Sequence, residues 1–479
     1  MQKILNFIGG EMRAPVSGRY FETDDPAVGA PYALVPDSGA EDLELAVAAA
    51  KKAFPAWRDT PAAGRAKVLR NLADLIEKNR AEFARAECID NGRPVAACTA
   101  VNIMRGSANL RFFADEAVRF SGEKFKTEKI ESYTLPQPLG VVATISPWNL
   151  PMLLFTWKFA PALAAGNCVI AKPSEVTPMT AYMLANLAND AGIPGGVFNV
   201  LHGKGANIGA AITAHPDIPA ISFTGGTVTG TTIYAAAARQ LKKVSLELGG
   251  KNPTVVFNDA DLDKTAEGAI AAGFSNQGQI CLCGSRLLVQ EGIYEDFKKA
   301  FIARAKEIKI GDPLLEETQH GPMVSKAHME KVLDYIGLAQ REGGKVLTGG
   351  KRCIVDGRCK DGWFIEPTII EGLPMECRAN QEEIFGPVVT IMPFKTEDEA
   401  VALANGVEYG LAASVWTEDR AKADRVAAKI ESGIVWQNCW NMRDLQTPFG
   451  GVKKSGVGRE GGRRALEFFT EEKTVSRIS

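Results

Sequence analysis

The chain has 479 residues, 46% of them apolar, with 55 Lys and Arg against 57 Asp and Glu for a net charge of −2. That length supports two or three cores, and the even balance excludes a basic nucleic-acid surface or an electrostatic hold on an anionic membrane. Nine cysteines, odd in number and thinly scattered, exclude a disulfide framework and fit a reducing cytosol.

The first eleven residues read as a strand followed by a Gly9-Gly10 turn, with an apolar run too short for a secretory signal. No apolar stretch approaches the roughly 20 residues that cross a bilayer, so a cytoplasmic protein is expected. Residues 40–120 read as helical. Leu43–Trp57 and Ala62–Ala86 carry apolar side chains at three- and four-residue spacing, and Ser38 is placed to cap the first helix ahead of Glu41 and Asp42. Arg119–Gln137 is polar and mixed, with Tyr133 and Leu135 alternating against Ser132 and Thr134, and Pro136 restricts it to an edge or a strand end. The strand-like tail Phe468–Ile478 is its expected partner in a subunit-bridging element.

From about residue 134 short apolar runs alternate with helical segments. Val141–Ile145, Cys168–Ala171, Val197–Leu201 and Ala220–Phe223 each end in polar or glycine residues. Such runs mark buried parallel strands, whose carboxyl ends are where open α/β sheets bind ligands. A second α/β pattern spans about 250–450, with strands at Pro253–Phe257, Arg286–Val289 and Val388–Met392 and helices at Ile293–Ile308 and Lys326–Glu342.

Two segments point to a nucleotide. Phe223-Thr224-Gly225-Gly226-Thr227 follows a strand and precedes a helix-prone run, Thr231–Leu241, so backbone N–H groups can approach a pyrophosphate. It lacks the usual dinucleotide spacing and reads equally as a tight strand–helix connection. Lys172 and Glu175 end a buried strand and suit an adenosine ribose, the carboxylate repelling a 2′-phosphate. Their alternative is a Ser-capped helix start beside a solvated lysine. A nucleophile stands out at Cys281, in Gly278-Gln279-Ile280-Cys281. Its base is not an obvious histidine, since none of the four (His202, His215, His320, His328) sits in a motif. Glu247, in Glu247-Leu248-Gly249-Gly250-Lys251, is the better candidate. A Cys–Glu pair beside nucleotide signals indicates oxidation through a thioester.

Taken together the motifs resemble the aldehyde dehydrogenase superfamily over nearly the whole chain. They are Ser146-Pro147-Trp148-Asn149, Lys172-Pro173-Ser174-Glu175, Phe223-Thr224-Gly225, Glu247 to Lys251, Gly278 to Cys281, Glu382 to Pro387 and Pro448-Phe449-Gly450-Gly451, in that order. The resemblance implies an α/β fold: a Rossmann-type NAD-binding domain (1–118 and 138–247), an α/β catalytic domain (248–450), and a small β-strand oligomerisation element (119–137 and 451–479). It implies a homodimer or homotetramer, NAD as cofactor and no metal. By matched position, Cys281 is the nucleophile, Asn149 and the Cys281 N–H hold the oxyanion, and Glu247 deprotonates the hydrolytic water. Lys172 and Glu175 meet the adenosine ribose, Thr224 to Thr227 the pyrophosphate, Gly205 the adenine, and Glu383 and Phe385 the nicotinamide ribose. Ser146, Pro147, Trp148, Ser174 and Leu248 complete that set. Gly226 departs from the family, where serine is frequent, and removes one phosphate contact. Cys283 reads as a small core residue, with a bond to Cys281 as the alternative.

The aldehyde tunnel implied by the resemblance is lined by Leu150, Leu154, Trp157 and Phe449, with Asn438–Leu445 at its mouth. Arg443 stands there where many relatives have an apolar or aromatic side chain, and Arg105 is on a helix that can face the same mouth. Guanidinium groups in a substrate tunnel select a carboxylate. Both arginines, with Tyr133-Thr134-Leu135, resemble the branch that oxidises 2-hydroxymuconate or 2-aminomuconate semialdehyde. The alternatives are a salt bridge with a nearby carboxylate or another subunit for Arg443, a solvated helix face for Arg105, and a general aldehyde dehydrogenase, a CoA-acylating one or a catalytically silent relative for the chain.

Overall fold

A computed structural model describes residues 1–478. Among them, strands form two large sheets, two three-stranded ones and two two-stranded pairings. The first large sheet takes β1 (Asn6–Ile8), β2 (Glu11–Arg13), β3 (Val141–Ile145), β4 (Cys168–Lys172), β5 (Phe198–Val200), β6 (Ala220–Thr224) and β7 (Lys243–Glu247). Its spatial order is Gly456–Val457, β7, β6, β3, β4, β5, β1, β2. The run β7-β6-β3-β4-β5 is parallel throughout. The chain steps outward from β3 through β4 to β5 and then crosses to β6 on the other side of β3, so strand order reverses between β3 and β6, and the ligand crevice of such sheets opens at that reversal. The β3 and β4 runs are wholly buried because helices cover both faces.

The helical region resolves into α1 (Ala40–Asp59), α2 (Ala62–Lys78), α3 (Arg80–Asn91) and α4 (Met104–Arg119), joined before α4 by a π-helix, Cys98–Ile103. Two expectations fail here. The single helix Ala62–Ala86 breaks at Asn79, whose side-chain amide donates to the Leu75 carbonyl at 2.8 Å and so competes with the helical ladder. Ser38 does not cap α1, because its hydroxyl accepts from Asn6 Nδ2 at 2.8 Å. Asp42 closes the helix start instead, accepting from the Gly39 N–H at 3.0 Å. Downstream, α5 (Pro151–Ala164) follows β3 and is buried on almost every face. The helix expected at Thr231–Leu241 is α6 (Thr227–Ala238). It starts four residues earlier, on the glycine turn itself, because the turn geometry overrides the weak helix propensity of Thr227, Val228 and Thr229.

The second sheet is parallel at its centre, where Pro253–Val256 lies between Arg286–Gln290 and Ala412–Trp416. Arg286 is fully buried there, donating to the carbonyls of Lys251, Leu403 and Ala404 at 2.7–2.9 Å. The third sheet pairs Ile130–Pro138 with the tail Thr470–Ile478 over nine residues. Lys124–Lys126 pairs only with Glu131–Tyr133, so the stretch around Pro136 has one unpaired edge, as a proline requires. Before reaching that sheet, the terminal segment adds Gly456–Val457 antiparallel to β7, placing Gly456 opposite Glu247. Among the described residues no helix is long and apolar enough to cross a membrane.

Candidate active site

Three cavities meet at one wall. The first, about 620 Å³, lies over the carboxyl ends of β3, β4 and β6. It is lined by Ser146, Pro147, Trp148, Lys172, Ser174, Glu175, Gly205, Thr224, Gly225 and Gly226, all expected there. Lys172 Nζ lies 3.1 Å from Glu175 Oε2, and the Gly205 N–H donates to Glu175 Oε1 at 3.0 Å. Burial tends to raise the Glu175 carboxyl, but Lys172 and these backbone donors prevail and hold it below its ordinary value. A fixed, ionised carboxylate at this place suits two ribose hydroxyls and repels a phosphate. The solvated-lysine alternative fails, since Lys172 is buried. Thr224 Oγ1 is buried at the turn without a partner, and open space surrounds Gly226. Together with the N-terminus of α6 these leave donors directed at an anion, which fits a pyrophosphate.

Thr227 is the exception. It lines none of these cavities, because the first residue of α6 turns its hydroxyl into the protein while Val228 and Thr229 face the cleft. Val228 was missed, because its exposure on the cleft is visible only in the fold.

A second cavity of about 250 Å³ continues past Trp148 and Thr224 to Leu248, Glu383, Phe385 and Cys281. Glu383 accepts from the Gly250 N–H at 2.9 Å, and burial raises it to about 7. Phe385 has φ of 62°, a strained backbone for a bulky residue. His328 steadies it by donating from Nε2 to the Phe385 carbonyl at 2.7 Å, with its ring edge-on to Trp148. His328 and Lys331 line this cavity from the helix Lys326–Arg341. Neither is legible in the sequence, where the helix shows only its apolar core face.

Cys281, Asn149 and Thr224 form the wall shared with the third cavity, about 430 Å³. The turn before Cys281 holds Asn276, Gln277 and Gly278 at φ of 51°, 56° and 69°, three consecutive left-handed residues. A Cβ at Gly278 would lie 2.0 Å from the Gly386 carbonyl, so glycine is required there. Asn149 Nδ2 donates to the Gln279 carbonyl at 2.9 Å, which orients the amide and leaves its second N–H for another acceptor. Burial, then Glu383 and Glu247, push the Cys281 thiol up. Cys283 is free and buried, as expected of a core residue.

Glu247 lies on the third cavity, 3% exposed, with neither carboxylate oxygen hydrogen-bonded. Burial and then Glu460 hold it well above the usual carboxylate range, against the pull of Lys158, Arg443 and Arg459. A Cβ at Gly450 would lie 2.8 Å from Glu247 Oε1, which accounts for the glycine after Phe449. Glu460 was missed. It lines the cavity, pairs with the fully buried Lys158 at 2.7 Å and accepts from Ser222 at 3.1 Å.

Leu150, Leu154, Trp157 and Phe449 line this same cavity, and so do Arg105 and Arg443. Arg443 lies 3.8 Å from the Phe449 ring centroid and 5.4 Å from that of Trp157. Its Nη2 is buried without a partner, and burial with the nearby Arg105 lowers it to about 10. No carboxylate of this chain lies within 4 Å of either guanidinium among the described residues, so a salt bridge within one chain fails for Arg443. Arg105 is half-buried on the cavity wall, not on a solvated face. Asn441, from the loop expected at the mouth, also lines it, as do Met104, Leu153 and Leu282, which were not singled out.

The geometry sets the Cys281 thiol between a cleft that suits a nucleotide and a cationic, aromatic-walled cavity holding two buried carboxyls, Glu247 and Glu460. Comparison with known proteins agrees. Residues 13–475 match the model of the aldehyde dehydrogenase family. The chain is 46% identical over 475 residues to 2-aminomuconic semialdehyde dehydrogenase of Bos taurus, covering 98% of this chain and 97% of the relative. It is 45% identical over 482 residues to 2-hydroxymuconic semialdehyde dehydrogenase of Pseudomonas sp. strain CF600, covering 99% of both. The solved NAD+ complex of an aldehyde dehydrogenase from Bacillus cereus superposes with a TM-score of 0.97 at 39% identity, covering 100% of this chain and 97% of that one.

Proposed function

The chain belongs to the aldehyde dehydrogenase family and so is an oxidoreductase acting on aldehydes, and from that premise we propose that its aldehyde is a carboxylated semialdehyde of the muconic type, such as 2-hydroxymuconate or 2-aminomuconate semialdehyde. One observation carries this reading. The cavity that holds Cys281 and Glu247 also holds two guanidinium groups, and Arg443 has a buried N–H with no partner. A substrate carboxylate satisfies that N–H through a charge-assisted bond and directs the aldehyde carbon back toward the thiol.

Cys281 loses its thiol proton to water, the thiolate Sγ attacks the aldehyde carbon, and the resulting oxyanion meets the free Asn149 N–H and the Cys281 backbone N–H. NAD, when bound, supplies the hydride acceptor. Loss of hydride leaves a thioester on Cys281. Glu247 takes a proton from water, the hydroxide adds to the thioester carbon, and the carboxylic acid leaves with the thiolate restored. On the cofactor side, Lys172 and Glu175 hold the adenosine ribose, Thr224 to Gly226 the pyrophosphate, and Glu383 and Phe385 the nicotinamide ribose. Residues 1–118 with 138–247 serve as the NAD-binding domain and 248–450 as the catalytic domain. Residues 119–137 and 451–479 join copies into a homodimer or homotetramer, a role supported by the exposed Phe125, Ile130 and Leu135 on the small sheet. Nine free cysteines support a cytosolic setting.

The test is NADH absorbance with a panel of carboxylated, aliphatic and aromatic aldehydes, compared by kcat/KM with NAD and NADP. The expected result is a preference of about 100-fold for the carboxylated semialdehyde over a neutral aldehyde of equal length. Equal values would remove the substrate assignment, and acyl-CoA formed in the presence of CoA would replace hydrolysis.

A further inference from the structure

Asn149 lies on an irregular turn immediately before α5. The helix start leaves N–H groups unsatisfied: its N-cap is Leu150, without a side-chain acceptor, and its first position is Pro151. The missing acceptor comes from α3. Glu87 Oε2 accepts from the Met152 N–H at 3.0 Å. One turn further along α3, on the same face, Asn91 Nδ2 donates to the Asn149 carbonyl at 3.3 Å. The second Glu87 oxygen accepts from Asn102 Nδ2. Asn102 belongs to the π-helix whose Ala100 and Val101 line the aldehyde cavity. Glu87 and Asn102 are fully buried and Asn91 is 3% exposed. A carboxyl is costly to bury, and an apolar residue would pack α3 against its neighbours as well. What the carboxylate adds is two acceptors, one for the turn after Asn149 and one for the cavity wall.

We infer that Glu87 and Asn91 are positioning residues, which lock the Asn149 turn so that its side-chain amide meets the oxyanion formed at Cys281, and which tie that turn to the π-helix wall of the aldehyde cavity. The inference rests on the reading of Asn149 as an oxyanion donor. Neither residue lines the cavities around Cys281, so both act through Asn149.

The experiment is a double-mutant cycle with a structural readout. Glu87→Gln, Glu87→Ala and Asn91→Ala are made in the full chain, alone and with Asn149→Ala. Each single variant is expected to lower kcat about 10- to 100-fold, less than or equal to the loss of an oxyanion donor, while KM for NAD moves within about twofold. Glu87→Gln, which keeps one acceptor and the volume, retains more activity than Glu87→Ala. With Asn149→Ala already present, the further loss is within about twofold. Losses that multiply instead mark a merely structural role and overturn the inference. Hydrogen exchange of the peptide 149–156 reports independently of turnover, with exchange expected to quicken about tenfold or more in Glu87→Gln and Asn91→Ala. Unchanged exchange also overturns it. A wild type that makes no NADH from any aldehyde removes the functional reading, while the exchange measurement still decides the positioning. If Glu87→Ala does not fold, the Gln and Asn91 variants carry the test.

Discussion

The cofactor cleft and the aldehyde cavity share a wall at Cys281 and Asn149 but are built on opposite plans. The cleft is made at the ends of parallel strands from short contiguous pieces, Ser146 to Trp148, Lys172 to Glu175 and Thr224 to Gly226. Each piece presents backbone N–H groups or small polar side chains, so local geometry alone makes it competent. The aldehyde cavity draws single side chains from the π-helix, α4, α5, the nucleophile turn and the loops around Asn441, Phe449 and Glu460. Its character comes from charge placed against aromatic rings in a buried space. A cleft of the first kind serves a ligand common to a whole family, and a cavity of the second kind can be retuned one side chain at a time.

Variants at the shared wall and on each side should separate the two plans. Cys281→Ala is the largest break, with NADH formation falling about 10⁴-fold or more in stopped-flow absorbance. NAD affinity by fluorescence titration stays within about twofold, because the cleft keeps its own contacts. Glu247→Gln comes next. It should lower steady-state kcat about 10³-fold while leaving a stoichiometric NADH burst, since only thioester hydrolysis needs the base. The same carboxyl sets a pH dependence. Burial and Glu460 raise it above the ordinary carboxylate range, so it is protonated and inactive as a base at lower pH. Wild-type kcat should therefore rise with pH through a window above that range, and Glu247→Gln should flatten the rise. A rise that survives the substitution assigns the titration to another group.

Arg443→Ala tests the cavity by itself. The kcat/KM for a carboxylated semialdehyde should drop about 100-fold against less than about threefold for a neutral aldehyde, as removal of a charge-assisted hydrogen bond predicts. Equal losses would show that the guanidinium serves packing on Phe449 and Trp157 instead. The smallest effect belongs to the cleft. Glu175→Gln should narrow the preference for NAD over NADP about tenfold in kcat/KM, by removing the charge that repels a 2′-phosphate. An unchanged preference would place cofactor selection elsewhere.

What could be read in advance follows the same division. The strands read as ending at Ile145, Ala171 and Phe223, the glycine turn, and the motifs around Cys281 and Glu247 are contiguous patterns whose chemistry needs only near neighbours. The Thr227 side chain stands apart from its neighbours because one residue of rotation at a helix start turns its hydroxyl away from the cleft. The break at Asn79 escaped notice because apolar spacing runs through it, while the side-chain bond that ends the helix leaves no mark on periodicity. His328, Lys331 and Glu460 lie in segments whose sequence shows only a helix face or a glycine-rich turn.

By itself the sequence determined where the buried strands and glycine turns fall along the chain and, through the motifs, the kind of cofactor, and it singled out Cys281 and Glu247 as candidates, because these depend on residues adjacent along the chain. Only the tertiary structure decided that two arginines face one cavity without a carboxylate of their own. It also decided that Glu460 and Lys158 stand behind Glu247, and that α3 holds the Asn149 turn through Glu87 and Asn91. Those relations join residues tens to hundreds of positions apart. Their physical content is burial, which makes an unpartnered charge costly and a hydrogen bond across helices decisive, and burial is a property of the packed chain.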